Sequence, residues 1–165
     1  MTDRSGATLA FARHDHARCQ SQGLEVARRS CAERGLRLTQ TRERVLRILL
    51  ETHEAIGAYE VLKRLTEAGS APPQPPIAYR ALDFLVANGF AHRIEKLNAY
   101  VACVRAEGPH PAAFMICSGC GHVAEIDGAA VVRALGGVAL DIGFELQNAT
   151  VEASGLCVAC RPAAP

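Results

Sequence analysis

Seven cysteines stand out in this chain of 165 residues, and four of them form two matched pairs, Cys117-Ser-Gly-Cys120 and Cys157-Val-Ala-Cys160. A Cys-x2-Cys spacing lets two thiolates approach one ion while the backbone between them turns. Two such pairs complete a tetrahedral four-thiolate zinc site. Four thiolates around Zn2+ leave a net negative charge and no open coordination position, so the expected role is structural. Thirty-six residues separate the pairs, more than a compact zinc ribbon holds. A strand and a helix must therefore fit in the loop, and the metal would staple the far strand to the near end. The cysteine count is odd and the chain reads as cytoplasmic, which disfavours a disulfide framework. The competing reading is two redox or incidental pairs, and two matched pairs are far more specific than one.

A second group is His92, Cys103, His110 and Glu125. Two neutral imidazoles, one thiolate and one carboxylate balance a divalent cation, and a mixed set containing a thiolate suits zinc better than magnesium, calcium or manganese. Spacing alone leaves two readings open. His92 can equally be a surface side chain at a helix-to-strand turn, and Cys103 a small buried apolar residue. His14, His16 and Cys19 could also bind metal, but they fall in a stretch that reads as loose tail.

These residues need elements to position them. The spacing predicts a first helix over Leu24–Arg34, ended by Gly35. Thr39 is a good N-cap for a second helix, whose stripe is Val45, Leu46, Ile48, Leu49 and Leu50. A third helix is expected over Ala58–Ala68, with Tyr59, Leu62 and Leu65 on its buried face and Gly69 at its end. The run 69–76 reads as a turn, with Pro76 in the first turn of a fourth helix over Ile77–Ala87. Ala78, Leu82, Leu85 and Val86 form that helix's buried stripe, leaving Tyr79, Arg80 and Asp83 on the other side. Runs at Phe90–Ile94 and Ala99–Val104, with Leu97-Asn98 between them, predict a hairpin. Helices followed by a hairpin describe a winged helix-turn-helix, whose last helix would enter the major groove. Beyond it the pattern predicts strands at 112–116 and 122–126, a helix at 129–141 and a strand at 144–152. The fold class is α+β. The expected organisation is a flexible tail at 1–20, a winged-helix DNA-binding domain at 21–105, a hinge at 106–111, a small α/β unit at 112–160 and a tail at 161–165.

Hydrophobic residues make up 49% of the chain, enough for a core, so wholesale disorder is excluded. No apolar run reaches the length of a membrane span. Met1–Ala17 has no apolar signal core, which points away from secretion. Residues 1–100 carry 15 Lys and Arg against 11 Asp and Glu, whereas residues 101–165 carry 3 against 6. The basic part is the one that reads as a DNA-binding unit. A zinc deaminase would need His-x-Glu upstream of Pro-Cys-x-x-Cys. Here Ile116 precedes Cys117 and no His-x-Glu occurs. The expectation is therefore no enzyme, no catalytic residue, no small-molecule substrate and no membrane. A zinc-stapled interaction module without DNA binding stands as the alternative from another class.

The ordered series Gly35-Leu-Arg-Leu-Thr-Gln-Thr-Arg42, Ala58-Tyr-Glu60, Pro75-Pro-Ile-Ala-Tyr-Arg-Ala-Leu82 and Cys117-x-x-Cys120 resembles the ferric uptake regulator family. Tyr79-Arg-Ala-Leu-Asp-Phe-Leu85, Gly89-Phe-Ala-His92 and Gly155-Leu-Cys157-x-x-Cys160 are similar to its zinc uptake regulator branch in particular. The resemblance spans about residues 24–160. It implies a homodimeric repressor with an N-terminal winged helix and a C-terminal dimerisation domain over 112–160. Zinc-loaded, such a dimer binds an AT-rich palindromic operator in double-stranded DNA and shuts off zinc-uptake genes. It also implies two zinc ions per chain. Cys117, Cys120, Cys157 and Cys160 fall on the structural site, and His92, Cys103, His110 and Glu125 on the sensory site, whose ligands straddle the hinge. Tyr79 and Arg80 fall on base-reading positions and Arg42 near a backbone-contacting one. Two departures are visible. Ile77-Ala78 replaces the family's usual Thr-Val, removing a hydroxyl at the helix start, and Ser154 stands where a histidine is common. The histidine- and aspartate-rich cluster of iron and peroxide sensors is lacking, which favours zinc over an iron- or other-metal-responsive regulator.

Overall fold

The structure is a computed structural model that describes residues 10–12, 14–67, 75–103 and 110–162. The chain divides into two compact units. One is Ala12–Pro109, and the other is His110–Pro165 with the N-terminal Met1–Phe11. Residues 69–74 of the turn expected over 69–76, and residues 106–109 of the hinge expected over 106–111, lie outside the described residues.

In the first unit, α1 spans His16–Glu33, and its N-cap Asp15 accepts a hydrogen bond from the Arg18 N–H at 3.2 Å. The helix thus starts at His16 instead of Leu24, and residues 16–20, expected in the tail, are helical. The apolar period that announces the helix begins only at Leu24, while the start is set by the polar cap. Gly35 takes a positive φ of +63° and the Leu36 N–H returns to the Cys31 carbonyl at 2.8 Å, closing the end of α1. Helix α2, Gln40–Leu50, is capped by Thr39, whose hydroxyl accepts from the Arg42 N–H at 3.4 Å. It packs against α1, against α3 (Ala58–Glu67), against α4 (Pro75–Ala87) and against β2 (Ala99–Ala102), which makes it the axis of this unit.

Helix α3 buries Val61 and Leu65, whereas Tyr59 is 80% exposed. Leu65 and the partly buried Leu62 thus face the core as expected, while Val61 takes the place expected of Tyr59. Helix α4 starts at Pro75, with both prolines in its first turn, where a missing N–H breaks no bond. It buries Ala78, Ala81, Leu82 and Leu85, and leaves Val86 exposed. Gly89 has φ +75° and the Phe90 N–H reaches the Leu85 carbonyl at 2.8 Å, so the chain turns sharply into β1 (Ala91–Ile94). A 3-10 turn at Glu95–Leu97 and Asn98 at φ +47° lead into the antiparallel β2, in register His92↔Val101. Ile56 extends this hairpin by bonding to Tyr100 in both directions, at 2.8 and 2.9 Å.

In the second unit, β3 (Ala112–Cys117) is the central strand of a sheet ordered β4-β3-β5. It pairs antiparallel with β4 (Val123–Asp127) and parallel with β5 (Val151–Gly155). The parallel pairing needs a crossover, supplied by α5 (Ala129–Asp141). Gly128 begins that crossover. A Cβ there would lie 2.8 Å from the Ala112 carbonyl carbon, so only glycine lets the backbones approach. Residues 144–150 form no strand, and β5 begins at Val151, later than the expected 144. Residues 144–150 are instead irregular and mostly exposed, Phe144 included at 58%. Among the described residues, no helix is long and apolar enough to cross a membrane.

The packing makes one quantitative expectation. Leu82 is fully buried beside Val45, Leu46, Leu49 and Leu85 in the first unit's core. Leu82→Ala should lower unfolding stability by about 2–5 kcal/mol in a urea melt. A loss below about 1 kcal/mol would mean that α4 does not lean on this core.

Candidate metal centres and nucleic-acid face

The two cysteine pairs meet in the second unit. Cys117 ends β3, Cys120 follows in the turn to β4, and Cys157 and Cys160 lie just beyond β5. The four sulfurs all lie within 4.8 Å of one another, and Cys120 Sγ is 3.9 Å from Cys157 Sγ. A zinc ion with Zn–S bonds of about 2.3 Å needs tetrahedral edges of about 3.8 Å. The donor set therefore fits zinc in spacing as well as chemistry, and these four residues could hold it.

Local structure builds this cluster. The parallel register places Cys117 opposite Gly155, and the Ser118 N–H bonds to the Gly155 carbonyl at 2.8 Å. That contact carries the second pair to the first. The turn has no room for a side chain at Gly119, where a Cβ would come 2.8 Å from Cys160 Cβ. The Cys157 N–H donates to Cys117 Sγ at 3.3 Å. This bond, with further backbone N–H groups from Cys120 and Gly119, pulls the Cys117 thiol down to about 6. Cys160 is pushed up to about 12, first by its hydrogen bond with Cys157 and then by that with Cys117. Cys120 is also raised, with burial and its neighbouring thiols outweighing its backbone bond to His122. The backbone N–H groups thus favour a thiolate at Cys117, while the neighbouring thiols disfavour one at Cys120 and Cys160.

The residues of the second expected set fall in both units. In the second unit, His110 Nε2 lies 2.5 Å from Glu125 Oε1, and the Glu125 side chain is 2% exposed. Glu125 sits on β4 opposite Phe114, which fixes its direction. In the first unit, His92 is on β1, and Cys103, buried just beyond β2, donates its N–H to the Phe90 carbonyl at 3.0 Å. A ring nitrogen of His92 and the Cys103 sulfur lie within 4.8 Å of each other. His122, read from the sequence as an exposed neighbour, is half-buried, and its Nδ1 donates to the Ala10 carbonyl at 3.0 Å.

On α4, Tyr79 is 50% exposed and Arg80 is exposed beside it. Among the described residues no ion pair or hydrogen bond holds the Arg80 guanidinium. Arg42 is placed differently. Its guanidinium stacks over the Phe84 ring at 3.6 Å and donates to the Arg37 carbonyl at 2.6 Å. That geometry ties α2 to α4, so Arg42 braces the exposed helix whatever else it touches. Sequence reasoning missed His53, which lies after α2 beside His14 and His16. Its distance along the chain from the other histidines gave no spacing signal.

Comparison with known proteins places this architecture. The model of the ferric uptake regulator family matches residues 33–154, and the chain belongs to that family. Within it, the chain is 42% identical over 138 residues to the zinc uptake regulation protein of Escherichia coli (strain K12), covering 83% of this chain and 80% of that one. It is similar to the structure of a zinc uptake regulator complexed with zinc and DNA. The identity is 41%, the TM-score 0.78, and the coverage 86% of this chain and 94% of that one. Holo XcZur is similar at 42% identity and a TM-score of 0.76, over 86% and 97% of the two chains.

The thiol shifts give a pH expectation for metal-stripped protein. Cys117 is lowered from its ordinary 9.0 in the folded unit. Its contribution to stability is thus present above about 9 and lost as pH falls through about 6. An ultraviolet thiolate titration should show one step near pH 6 that Cys117→Ser removes. Persistence of that step in the variant would assign the depressed thiol to another cysteine.

Proposed function

We propose that this chain is a zinc-responsive transcriptional repressor that binds an AT-rich palindromic operator as a homodimer when zinc-loaded. The observation that carries the reading is the 42% identity to a zinc uptake regulation protein over 83% of the chain. The match to a regulator solved with zinc and DNA supports the same reading. Cys117, Cys120, Cys157 and Cys160 would hold a structural zinc. His92, Cys103, His110 and Glu125 would hold a regulatory zinc, giving these two ions per chain. Zinc supplies a divalent charge that neutralises the thiolate and carboxylate of the regulatory set. The domain roles follow, with the winged helix over 21–105 reading DNA, the hinge at 106–111, and the unit over 112–160 pairing two chains. The reading is of a regulator in the cytoplasm of a bacterium, not an enzyme.

The chain's own groups explain why loading responds to conditions. In the metal-free state His110 and Glu125 share a hydrogen bond that requires a proton between Nε2 and the carboxylate. A Cys103 thiol must give up its proton to ligate a cation. Metal loading therefore releases protons, and the response should weaken as pH falls. Support for pairing comes from α5 and the residues after it. Val138, Leu140, Ile142 and Phe144 are 58–79% exposed, an apolar surface of the kind that a partner covers. For DNA, the exposed Tyr79 and Arg80 on the fourth helix suit contact with base edges, the guanidinium with guanine and the ring with a thymine methyl. Ile77-Ala78 offers no hydroxyl at the helix start, so operator recognition rests the more on this pair.

A fluorescence-anisotropy titration at buffered free zinc tests the proposal, with iron(II) and manganese(II) as controls. Binding to an AT-rich palindrome should rise with zinc alone. Zinc-independent binding, or His92→Ala with unchanged zinc dependence, would overturn it. Arg80→Ala should cost about 1–3 kcal/mol at the position it reads and relax sequence preference there. A uniform loss across all sequences would instead mark Arg80 as a phosphate contact.

A further inference from the structure

We infer that His14, His16, Cys19 and His53 form a third metal site, within the first unit, that takes a divalent transition-metal ion, with zinc the best fit. The four ligand atoms all lie within 4.8 Å of one another, and all four residues are half-buried. His14 precedes the N-cap, His16 and Cys19 sit one turn apart at the start of α1, and His53 follows α2. Residues three apart on a helix face the same side, so His16 and Cys19 present their ligands together.

The ring geometry carries the inference. His14 Nδ1 lies 3.1 Å from the Ala12 carbonyl, and His16 Nε2 lies 2.8 Å from the Glu51 carbonyl. A carbonyl only accepts, so each of these nitrogens carries the proton, and in the neutral rings the opposite nitrogens carry lone pairs. Those are His14 Nε2 and His16 Nδ1, and they face each other at 3.4 Å. His53 Nε2 lies 3.1 Å from the same His14 nitrogen. Two lone pairs at that distance repel unless a proton or a metal ion lies between them. A tetrahedron with Zn–N bonds of about 2.0–2.1 Å has N···N edges of about 3.3 Å, close to both separations. Backbone carbonyls on the remote nitrogens are also how metal-binding histidines are held in tautomer and direction.

Three imidazoles and one thiolate leave a zinc complex with a single positive charge. The set suits zinc, and cobalt(II) as its spectroscopic substitute, far better than magnesium, calcium or manganese. The ion would fasten the start of α1 to the segment after α2, the helix against which the rest of this unit packs. Because three of the four ligands lie between residues 14 and 19, this short segment becomes part of the metal-bound fold.

Zinc per chain, measured by equilibrium dialysis of the full-length protein at buffered free zinc, tests the site. Wild type should bind one ion more than His14→Ala/Cys19→Ser and one more than His53→Gln. The two variants alter opposite sides of the site, so a folding defect in one leaves the other as the test, with circular dichroism reporting the fold. Cobalt(II) loading should show a thiolate-to-metal charge-transfer band that Cys19→Ser reduces while the band from the four-cysteine site remains. Equal zinc counts in wild type and both variants would overturn the inference. The readout is independent of DNA binding, so failure of the repressor reading would leave it standing.

Discussion

Four sulfurs converging on one point are the constraint around which the second unit is built. Without a cation, the protein's own N–H groups hold one thiolate at Cys117, and Cys160 is driven up to about 12. The sheet that brings the cysteines together is small, three strands and one helix, with a core of few large side chains such as Phe114 and Ile116. Small cores of this kind gain from a metal staple. Sheet and metal depend on each other here. The parallel β3–β5 register delivers the second pair of cysteines, and an ion on all four would in turn lock that register. A side chain at Gly128 would meet the Ala112 backbone, and one at Gly119 would meet the Cys160 side chain.

The first unit solves a different problem, which is to hold one helix face out to solvent without letting it move. Helix α2 is in contact with every other helix of the unit and with the hairpin. Ala78, Ala81, Leu82 and Leu85 anchor α4 on that core and thereby leave Tyr79 and Arg80 outward. The stack of Arg42 on Phe84 adds a polar brace between α2 and α4. At the other end of α1, Arg34 donates to the Asn88 carbonyl at 2.9 Å, tying α1 to the end of α4. The face offered to a partner is thus fixed by burial behind it. That is how a helix can present side chains to DNA with little ordering cost on binding.

Much of this was legible in the sequence because the signals were local. Thr39 and Gly35 each act within a few residues, and each does in the structure what its type implies, while the Cys-x2-Cys pairs were plain as motifs and the structure brings them together. The α5 limits matched because Gly136-Gly137, which weaken a helix, are outweighed by the crossover that the parallel pair requires. What was not legible depends on distant partners. The start of α1 is set by Asp15, not by apolar period, so the helix reaches into the stretch expected as tail. The Tyr59 ring reads as core but points outward. Residues 144–150, expected to open the last strand, are irregular, and pairing with β3 begins only at Val151. His53 joins His14 and His16 only through the packing of α1 beside α2, which no spacing rule encodes. The set proposed as regulatory, His92, Cys103, His110 and Glu125, sits between these cases, since the residue types were plain and only family resemblance linked them.

Metal chemistry and DNA binding meet in the claim that zinc occupancy decides whether this protein sits on its operator. Native mass spectrometry of protein mixed with operator DNA at stepped free zinc counts chains and ions on each species at once. DNA-bound species should appear only as even numbers of chains that carry more zinc than the DNA-free protein at low free zinc. DNA-bound species with the same zinc content as the unbound, zinc-poor protein would contradict the claim directly.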